Sequence, residues 1–415
     1  MNPILVKLKE NRFNWAVIGV VILALLVRVT YVLLAPRIDP IIQQQPLYGD
    51  ASGYHLLAVN LLKGLGLTWD GQIPTSFRMP GYPAFLAFIY GLTRPDPEPV
   101  RLVQAVLGAL TCIPTFALAE RLGGRKTAVL AGLGVALHPI MIYMTAWLYS
   151  ETLFFLLLWS GLWVLVRSFD NSSLLQAALA GLFVGAATLV RPEVMAFPAL
   201  VLVAGWIFRW PRRLLGFALV AQVAVVIVLL PWIVRNVLVH DQVVVLTTNT
   251  GAVFYGGNND DADGGYYLDV PFILPGFSEL ESDAEFKRMG VQWISNHPQE
   301  FIALLPWKLY KLFSPAEMVG AGRPLGSWTL VLNVIYGVFL MFVAGGIIVG
   351  WRLNKELITL LMTLIAWYIL ITLILYGGTR FALPLAPGFV TLAAVALVKL
   401  LPKREFSVYL QTEKV

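Results

Sequence analysis

Asp50, in LYGDASGYHLL, and Glu151, in WLYSETLFF, are the two carboxylates whose settings point to chemistry. Each lies near a long apolar run, where an ionised carboxylate is expensive unless it is paired or wet. At a membrane surface such a group can serve as a general base or help to hold a metal. Plainer roles are equally open. Asp50 precedes a helical segment, and Asp is a favoured N-cap residue. Glu151 opens an apolar run, where a first-turn acid is stabilised by the helix dipole and would face the headgroups. A shared site predicts instead that Glu151 faces Asp50 across one cavity.

Arg191 and Glu193, in TLVRPE, Arg235, in PWIVRN, and Arg380, in GGTRFALPLAP, fall at the outer ends of apolar runs. Outer arginines run against the positive-inside trend, so each asks for a partner. A phosphate is one, because guanidinium matches its geometry in a bidentate fashion; an outer acid is the other. Arg191 and Glu193 can simply pair with each other. His55, His138, His240 and His297 show no metal-ligand spacing, which leaves Asp50 and Glu151 as the hard oxygen ligands for a divalent ion such as magnesium or manganese. The acidic run Asp260, Asp261 and Asp263 lacks the spacing and terminal Glu of a calcium loop, and reads as solvated. Cys112 stands alone, which excludes an intramolecular disulfide and a cysteine-based zinc site. No Walker A or Rossmann glycine pattern is present, which disfavours a nucleotide-driven engine.

The elements that must position these residues are membrane helices. Of the 415 residues 58% are hydrophobic and only 13% charged, too few charges for a soluble surface of that size. The expected class is an all-α polytopic integral membrane protein, because in lipid each span must satisfy its own backbone. Ten spans are expected, near 14–35, 99–120, 127–146, 151–168, 173–190, 194–209, 214–234, 328–350, 356–376 and 381–399. Lys7, Lys9 and Arg12 precede the first, which is too long for a signal h-region and is kept as a span. Basic clusters at Arg121/Arg125/Lys126, Arg209/Arg212/Arg213, Arg352/Lys355 and Lys399/Lys403/Arg404 then all fall on the cytoplasmic side, with both termini. The net charge of +6 therefore reports orientation and not a nucleic-acid partner.

Two outer loops result, about 36–98 and 236–327, with no separate soluble domain, so the chain reads as a single membrane-embedded domain. Gly53–Gly64 is expected to be a short interfacial helix, Gly81–Leu92 an interfacial or re-entrant one, and Pro298–Phe313, bearing Lys308 and Lys311, another interfacial helix. Val243–Thr248 is β-branched. Arg28, inside the first span, is expected to snorkel outward or to meet an outer acid.

In order along the chain, GDASGYHLLA, RMPGYPAFLA (Arg78–Ala87), RLVQAVLGAL, SETLFFLLL, TLVRPE, PWIVRN, TTNTGAVFYGGNN and TRFALPLAP resemble the GT-C superfamily of glycosyltransferases that use polyprenyl-phosphate sugars. The likeness is to its family-39 group, which includes protein O-mannosyltransferases and the lipid A aminoarabinose transferase. It implies a GT-C-type fold in the plasma (inner) membrane and sugar transfer on the periplasmic or exterior face, with inversion, from a polyprenyl-phosphate donor to a lipid, polysaccharide or protein acceptor. On that likeness Asp50 matches the first-loop aspartate proposed as base, and Glu151 the second acidic position. Arg78, Arg235 and Arg380 match positions near the lipid phosphate, with Tyr54, Arg191 and Glu193 in support. A divalent metal assists some members. The competing reading is a transporter or flippase of lipid-linked sugars, which would place ionisable groups on broken, repeated helices near the bilayer midplane. A third is a subunit that only binds polyprenyl phosphate.

Overall fold

A computed structural model of the chain describes residues 15–45, 47, 49–266, 270–315 and 327–400. Lys7, Lys9, Arg12, Lys403 and Arg404 of the charge argument lie outside the described residues. The described residues are all-helical, without a named strand; Thr68 and Pro74 make one isolated bridge. Val243–Thr248 is accordingly not a strand, since no second strand lies beside it to take its backbone groups.

Seven helical stretches are long and apolar enough to cross a membrane, and three shorter apolar helices accompany them. The first crossing is α1 (Trp15–Ile38), followed by the short α2 (Pro40–Gln44) and by α3 (Asp50–Leu62). Then come α4 (Gly81–Leu92), α5 (Pro97–Leu110), α6 (Cys112–Ala136), α7 (Pro139–Thr145), α8 (Glu151–Asn171) and α9 (Leu174–Val190). They are followed by α10 (Phe197–Ile207), α11 (Arg212–His240), α12 (Thr250–Gly256), α13 (Glu279–Asn296) and α14 (Pro298–Phe313). The last four are α15 (Ser327–Leu353), α16 (Lys355–Ile374), α17 (Thr379–Ala382) and α18 (Ala386–Leu400).

Helix occupies all ten expected positions, with differences of detail. α6 is kinked at Gly124 (φ 78°), so it carries the end of the expected span 99–120, begun by α5, and the start of the span 127–146. The expected span 381–399 is α17, a 3-10 turn and α18. The expected span 127–146 is split between α6 and α7, because Pro139 cannot continue the helix before it. The expected spans 173–190 and 194–209 are the short helices α9 and α10, separated by Arg191 and a single 3-10 turn, Pro192–Val194. The two expected interfacial helices of the first loop are α3 and α4. The bundle packs α9 against α8 and α11, α18 against α6 and α15, and α1 against α5 and α6.

The basic connections gather at one end of the bundle. Arg121 pairs with Asp170 at 2.7 Å, Arg213 donates to Ser172 Oγ at 3.2 Å, and the rings of Phe208 and Trp351 meet at 5.3 Å. The helix ends bearing Asp50, Glu151, Arg191 and Arg380 form the other end.

Arg28 departs from its expectation. It is fully buried and donates to the carbonyls of Ala24, Ala136 and Val135 at 3.2, 2.9 and 2.9 Å. The last two are carbonyls at the C-terminal end of α6, where backbone acceptors lack helical partners and the dipole favours a cation. The split after Ala136 thus supplies what an outer acid was expected to supply.

A second break, between α7 and α8, is held by Gln104 on α5. Its amide donates to the carbonyls of Thr145 and Trp147 at 3.0 and 2.7 Å and accepts from Tyr82 Oη at 2.6 Å. Carbonyls freed by a break need donors inside the protein at this depth, and one buried amide serves two of them. The two outer loops are tied by Glu279, at the start of α13, which accepts from Thr75 Oγ1 at 2.5 Å, from the Ser76 backbone at 2.9 Å and from Thr248 Oγ1.

Gly81 lets the start of α4 lie directly on the end of α9. A Cβ there would stand 2.6 Å from the Leu189 carbonyl oxygen, a backbone atom that cannot turn aside. Gly81→Leu is expected to force the two helices apart at a cost of about 1–3 kcal/mol, the usual range for overpacking. A lower thermal unfolding midpoint of the detergent-purified protein checks this, and an unchanged midpoint contradicts it.

Candidate functional site

Five loop or helix-end segments converge at the end of the bundle opposite the basic connections. Asp50 is the first residue of α3, but it does not act as a cap. Gly49 is the N-cap, with no side-chain cap bond, and the Asp50 carboxylate points to two arginines. Its Oδ1 accepts from Arg78 NH2 at 2.7 Å and its Oδ2 from Arg380 NH1 at 2.8 Å. Glu151 starts α8 and is fully buried, not exposed to headgroups as the dipole reading alone would have it. Its Oε1 accepts from Arg380 Nε at 2.7 Å and from Arg191 NH1 at 2.8 Å. Arg191 Nε in turn reaches Glu193 Oε1 at 2.7 Å.

The six side chains therefore alternate in charge: Arg78, Asp50, Arg380, Glu151, Arg191, Glu193. Asp50 and Glu151 face one another through Arg380, which each of them binds. Aromatic faces carry the arginines on their free sides. Arg380 lies 4.7 Å from the Tyr149 ring centroid, Arg78 5.1 Å from that of Tyr54, and Arg191 5.8 Å from that of Phe154. Burial alone would push the Asp50 carboxyl up, but Arg78 and Arg380 outweigh it and hold the group well below the usual carboxylate range. Burial opposes the Arg78 charge as well, and Asp50 more than restores it.

Two cavities meet at this chain of charges. One, of about 410 Å³, has a largely apolar wall that includes Val190, Met195, Ile371 and Leu375. The other, of about 860 Å³, is equally apolar and is lined by Leu56, Trp69, Val270 and Phe272, with Ser52 and Tyr266. Asp50, Arg78, Asn249, Tyr376 and Arg380 line both. Asp50 and Arg380 keep 26% and 38% of their side-chain surface accessible, whereas Glu151 keeps 1%. The first two are therefore reachable by a ligand from either side, and Glu151 is not.

Arg235 stands apart from this group. It donates to Ser76 Oγ at 2.8 Å and to Asn236 Oδ1 at 3.1 Å, and lies over the Trp232 ring, so it braces the loop before Arg78. Asp260 accepts from the Trp293 indole at 2.7 Å and Asp263 pairs with Lys311 at 2.6 Å. No group of three His, Cys, Asp or Glu that could hold an ion occurs among the described residues. Asp50 and Glu151 offer one carboxylate oxygen without a protein partner, Glu151 Oε2, beside three arginines. That donor set suits an anion better than a divalent cation.

Several contributors carried little signal in the sequence. Tyr149 and Tyr376 lie in apolar surroundings like many others. Trp367, whose indole donates to the Glu193 carbonyl at 2.5 Å, sits midway along α16. Gln104 could have been found as a lone amide in the otherwise apolar run after Arg101.

Glu151→Ala is expected to strand Arg191 and Arg380 with too few counter-charges, at a cost of about 3–5 kcal/mol. Asp50→Asn, at a partly open position, is expected to cost far less. Thermal midpoints of the two purified variants check this; equal midpoints would show that Glu151 is not the hub of the charge chain.

Residues 77–234 match the family described as dolichyl-phosphate-mannose-protein mannosyltransferase. No curated protein sequence matches the chain. Among solved structures it is similar to the archaeal oligosaccharyltransferase AglB from Archaeoglobus fulgidus, in complex with an inhibitory peptide and a dolichol-phosphate. There the TM-score is 0.55 and the identity 16%, over 93% of this chain and 50% of that one. The same oligosaccharyltransferase in complex with Zn and sulfate gives a TM-score of 0.51 and 16% identity, over 92% of this chain and 49% of that one. The chain thus spans about half the length of these enzymes. ArnT from Cupriavidus metallidurans is more distant, with a TM-score of 0.42 and 15% identity over 83% of this chain and 71% of that one. The fold is of the GT-C type, as the resemblance implied.

Proposed function

From a GT-C-type membrane fold with three arginines and two carboxylates at the meeting of two cavities, we propose that the chain transfers a sugar from a polyprenyl-phosphate donor to an acceptor hydroxyl. The observation that carries this is the clamping of Asp50 between Arg78 and Arg380 at the point that both cavities reach. The lipid-linked donor enters through one cavity and the acceptor through the other, and the two meet at Asp50 and Arg380. By the positive-inside bias the site faces the periplasm or exterior and both termini the cytoplasm.

Clamped as it is, Asp50 is a poor base, because two guanidiniums stabilise its ionised form. A donor phosphate changes that balance. Phosphate oxygens draw on the guanidiniums of Arg78 and Arg380, and each arginine so engaged gives less to Asp50. Its proton affinity rises at the moment when the donor is in place. The acceptor hydroxyl then gives its proton to Asp50 as its oxygen bonds to the anomeric carbon. The bond from that carbon to the phosphate oxygen breaks, and the polyprenyl phosphate leaves with the electron pair. The two arginines stabilise the departing phosphate. One displacement with one base gives inversion. Glu151, Arg191 and Glu193 anchor Arg380 from behind, and Tyr54 supports the Arg78 face. Arg235 holds the loop that carries Arg78 and does not itself meet the phosphate. No step is routed through a metal.

The test is mass spectrometry of glycolipids, glycoproteins and surface polysaccharides in three strains: deleted, complemented with the native protein, and complemented with Asp50→Asn at equal level. Deletion is expected to remove one sugar from one acceptor, with Asp50→Asn restoring less than about one part in a hundred, a loss of the size expected for a general base. Full restoration by Asp50→Asn would exclude Asp50 as base and favour a transporter or a lipid-binding subunit. In membranes carrying the native protein, chelation with EDTA is expected to leave transfer unchanged within about twofold, since arginines already serve the phosphate. A loss restored by magnesium or manganese would show that Glu151 Oε2 and Asp50 hold an ion during the reaction.

A further inference from the structure

Lys308, on α14, is fully buried, yet no carboxylate among the described residues pairs with it. Its ammonium donates to Asn258 Oδ1 at 2.8 Å and to the carbonyls of Leu375 and Leu373 at 2.9 and 3.2 Å. Three donors thus meet three neutral acceptors. Two of these are the carbonyls where α16 ends, which lack helical partners and carry the negative end of the dipole.

Asn258 is engaged on both sides of its amide. Its Nδ2 donates to the carbonyls of Phe254 at 2.7 Å and Ile374 at 3.0 Å. Gly377 packs against the Lys308 backbone so closely that a Cβ would fall 2.1 Å from the Lys308 carbonyl oxygen. The Gly377 backbone donates to the Gly264 carbonyl at 2.7 Å, and Thr379 Oγ1 to the Ser314 carbonyl at 2.9 Å. Three segments, 254–264, 308–314 and 373–379, are therefore tied into one knot around a single ammonium. The next residue is Arg380, and Tyr376 lies inside the knot and lines both cavities.

We propose that Lys308 is a positioning residue for Arg380, fixing the end of α16 and the 375–379 turn so that the guanidinium stands between Asp50 and Glu151. This rests on the reading of that cluster as the polyprenyl-phosphate site. Lys308 touches neither the cavity nor the cluster, so it acts only through the chain it holds.

The charge state of Lys308 gives the readout. Burial pushes it down to about 8 from an ordinary 10.5, so raising the pH through 8 removes one of its three donors together with its charge. The groups that share its surroundings do not titrate between pH 7 and 9. Asp263, held by Lys311, is pushed down, Tyr376 is pushed up to about 12, Tyr266 is pushed up as well, and Arg380 stays a cation. Stability responds with the opposite sign. The unfolded lysine binds more protons between 8 and 10.5, so this group's contribution to stability rises across that window. A purely structural Lys308 would therefore give no loss of ligand affinity on going to pH 9.

The experiment measures binding of farnesyl phosphate, a short polyprenyl phosphate, to the full chain in nanodiscs at pH 7 and pH 9. Hydrogen-exchange protection of 373–382 is followed in parallel. A phosphate monoester gains charge over this range, so the ligand alone would bind more tightly at pH 9. The proposal expects the native protein to bind about fivefold more weakly at pH 9, the size of one lost hydrogen bond and dipole contact. Lys308→Met is expected to bind about fivefold or more weakly already at pH 7, with protection of 373–382 reduced and that of α8 intact. Lys308→Arg, charged throughout, is expected to lose the pH dependence. Unchanged protection of 373–382 in Lys308→Met, or native affinity that does not fall by pH 9, overturns the proposal. Failure of the native protein to bind farnesyl phosphate at either pH removes the donor-site reading instead, and the exchange data then decide the role of Lys308 alone.

Discussion

Burying several ionised side chains together at the end of a membrane bundle is least costly when each charge is met by its opposite, and this constraint shapes the site. Asp50, Glu151 and Glu193 alternate with Arg78, Arg380 and Arg191, so the group as a whole is neutral. A charge taken out of water without a partner costs several kcal/mol, more than most single contacts return. The residues come from five places in the chain, and each must arrive in register for the sum to close. On the proposed function the same neutrality would make the site responsive, since a phosphate entering the chain would compete with the carboxylates for guanidiniums and leave one of them ready to take a proton.

Helix ends do most of the positioning. The cluster forms where α3 and α8 begin and where α9 and α16 have just ended. Helix ends expose backbone groups that the bilayer would not tolerate bare, and at three of the breaks in this bundle a polar side chain from another element meets them. Arg28 closes the end of α6, Gln104 the break before α8, and Lys308 the end of α16. None of these three joins the charged cluster. They are the reason that a bundle with so many interrupted helices can hold its functional side chains in fixed places.

Arg235 and Arg78 look alike in sequence and differ in the fold. Both are outer arginines beside apolar runs, and both were matched to the lipid phosphate by resemblance. Arg78 turns to Asp50, whereas Arg235 turns back to Ser76 and Asn236. Glu279, about two hundred residues further along the chain, fixes Thr75 and Ser76 just before Arg78.

The sequence by itself determined the class and the cast. Long apolar runs can only be helices in lipid, so the apolar helices and their order followed from hydropathy, and the basic connections marked one end of the bundle, whereas the breaks within the runs did not follow. Isolated charges beside those runs marked Asp50, Glu151, Arg191 and Arg380, because a charge there must have a purpose or a partner. Which partner was a matter for the tertiary structure. Asp50 and Glu151 have separate local explanations as a cap and a first-turn acid, and nothing within a few residues of either shows that Arg380 binds both. The roles of Gln104 and Lys308 were equally hidden, since a carbonyl in need of a donor is not written in the side chain that supplies it. Hydrophobic patterning is local and survives in the sequence. Charge neutralisation joins residues far apart, and only the folded chain decides which of them meet.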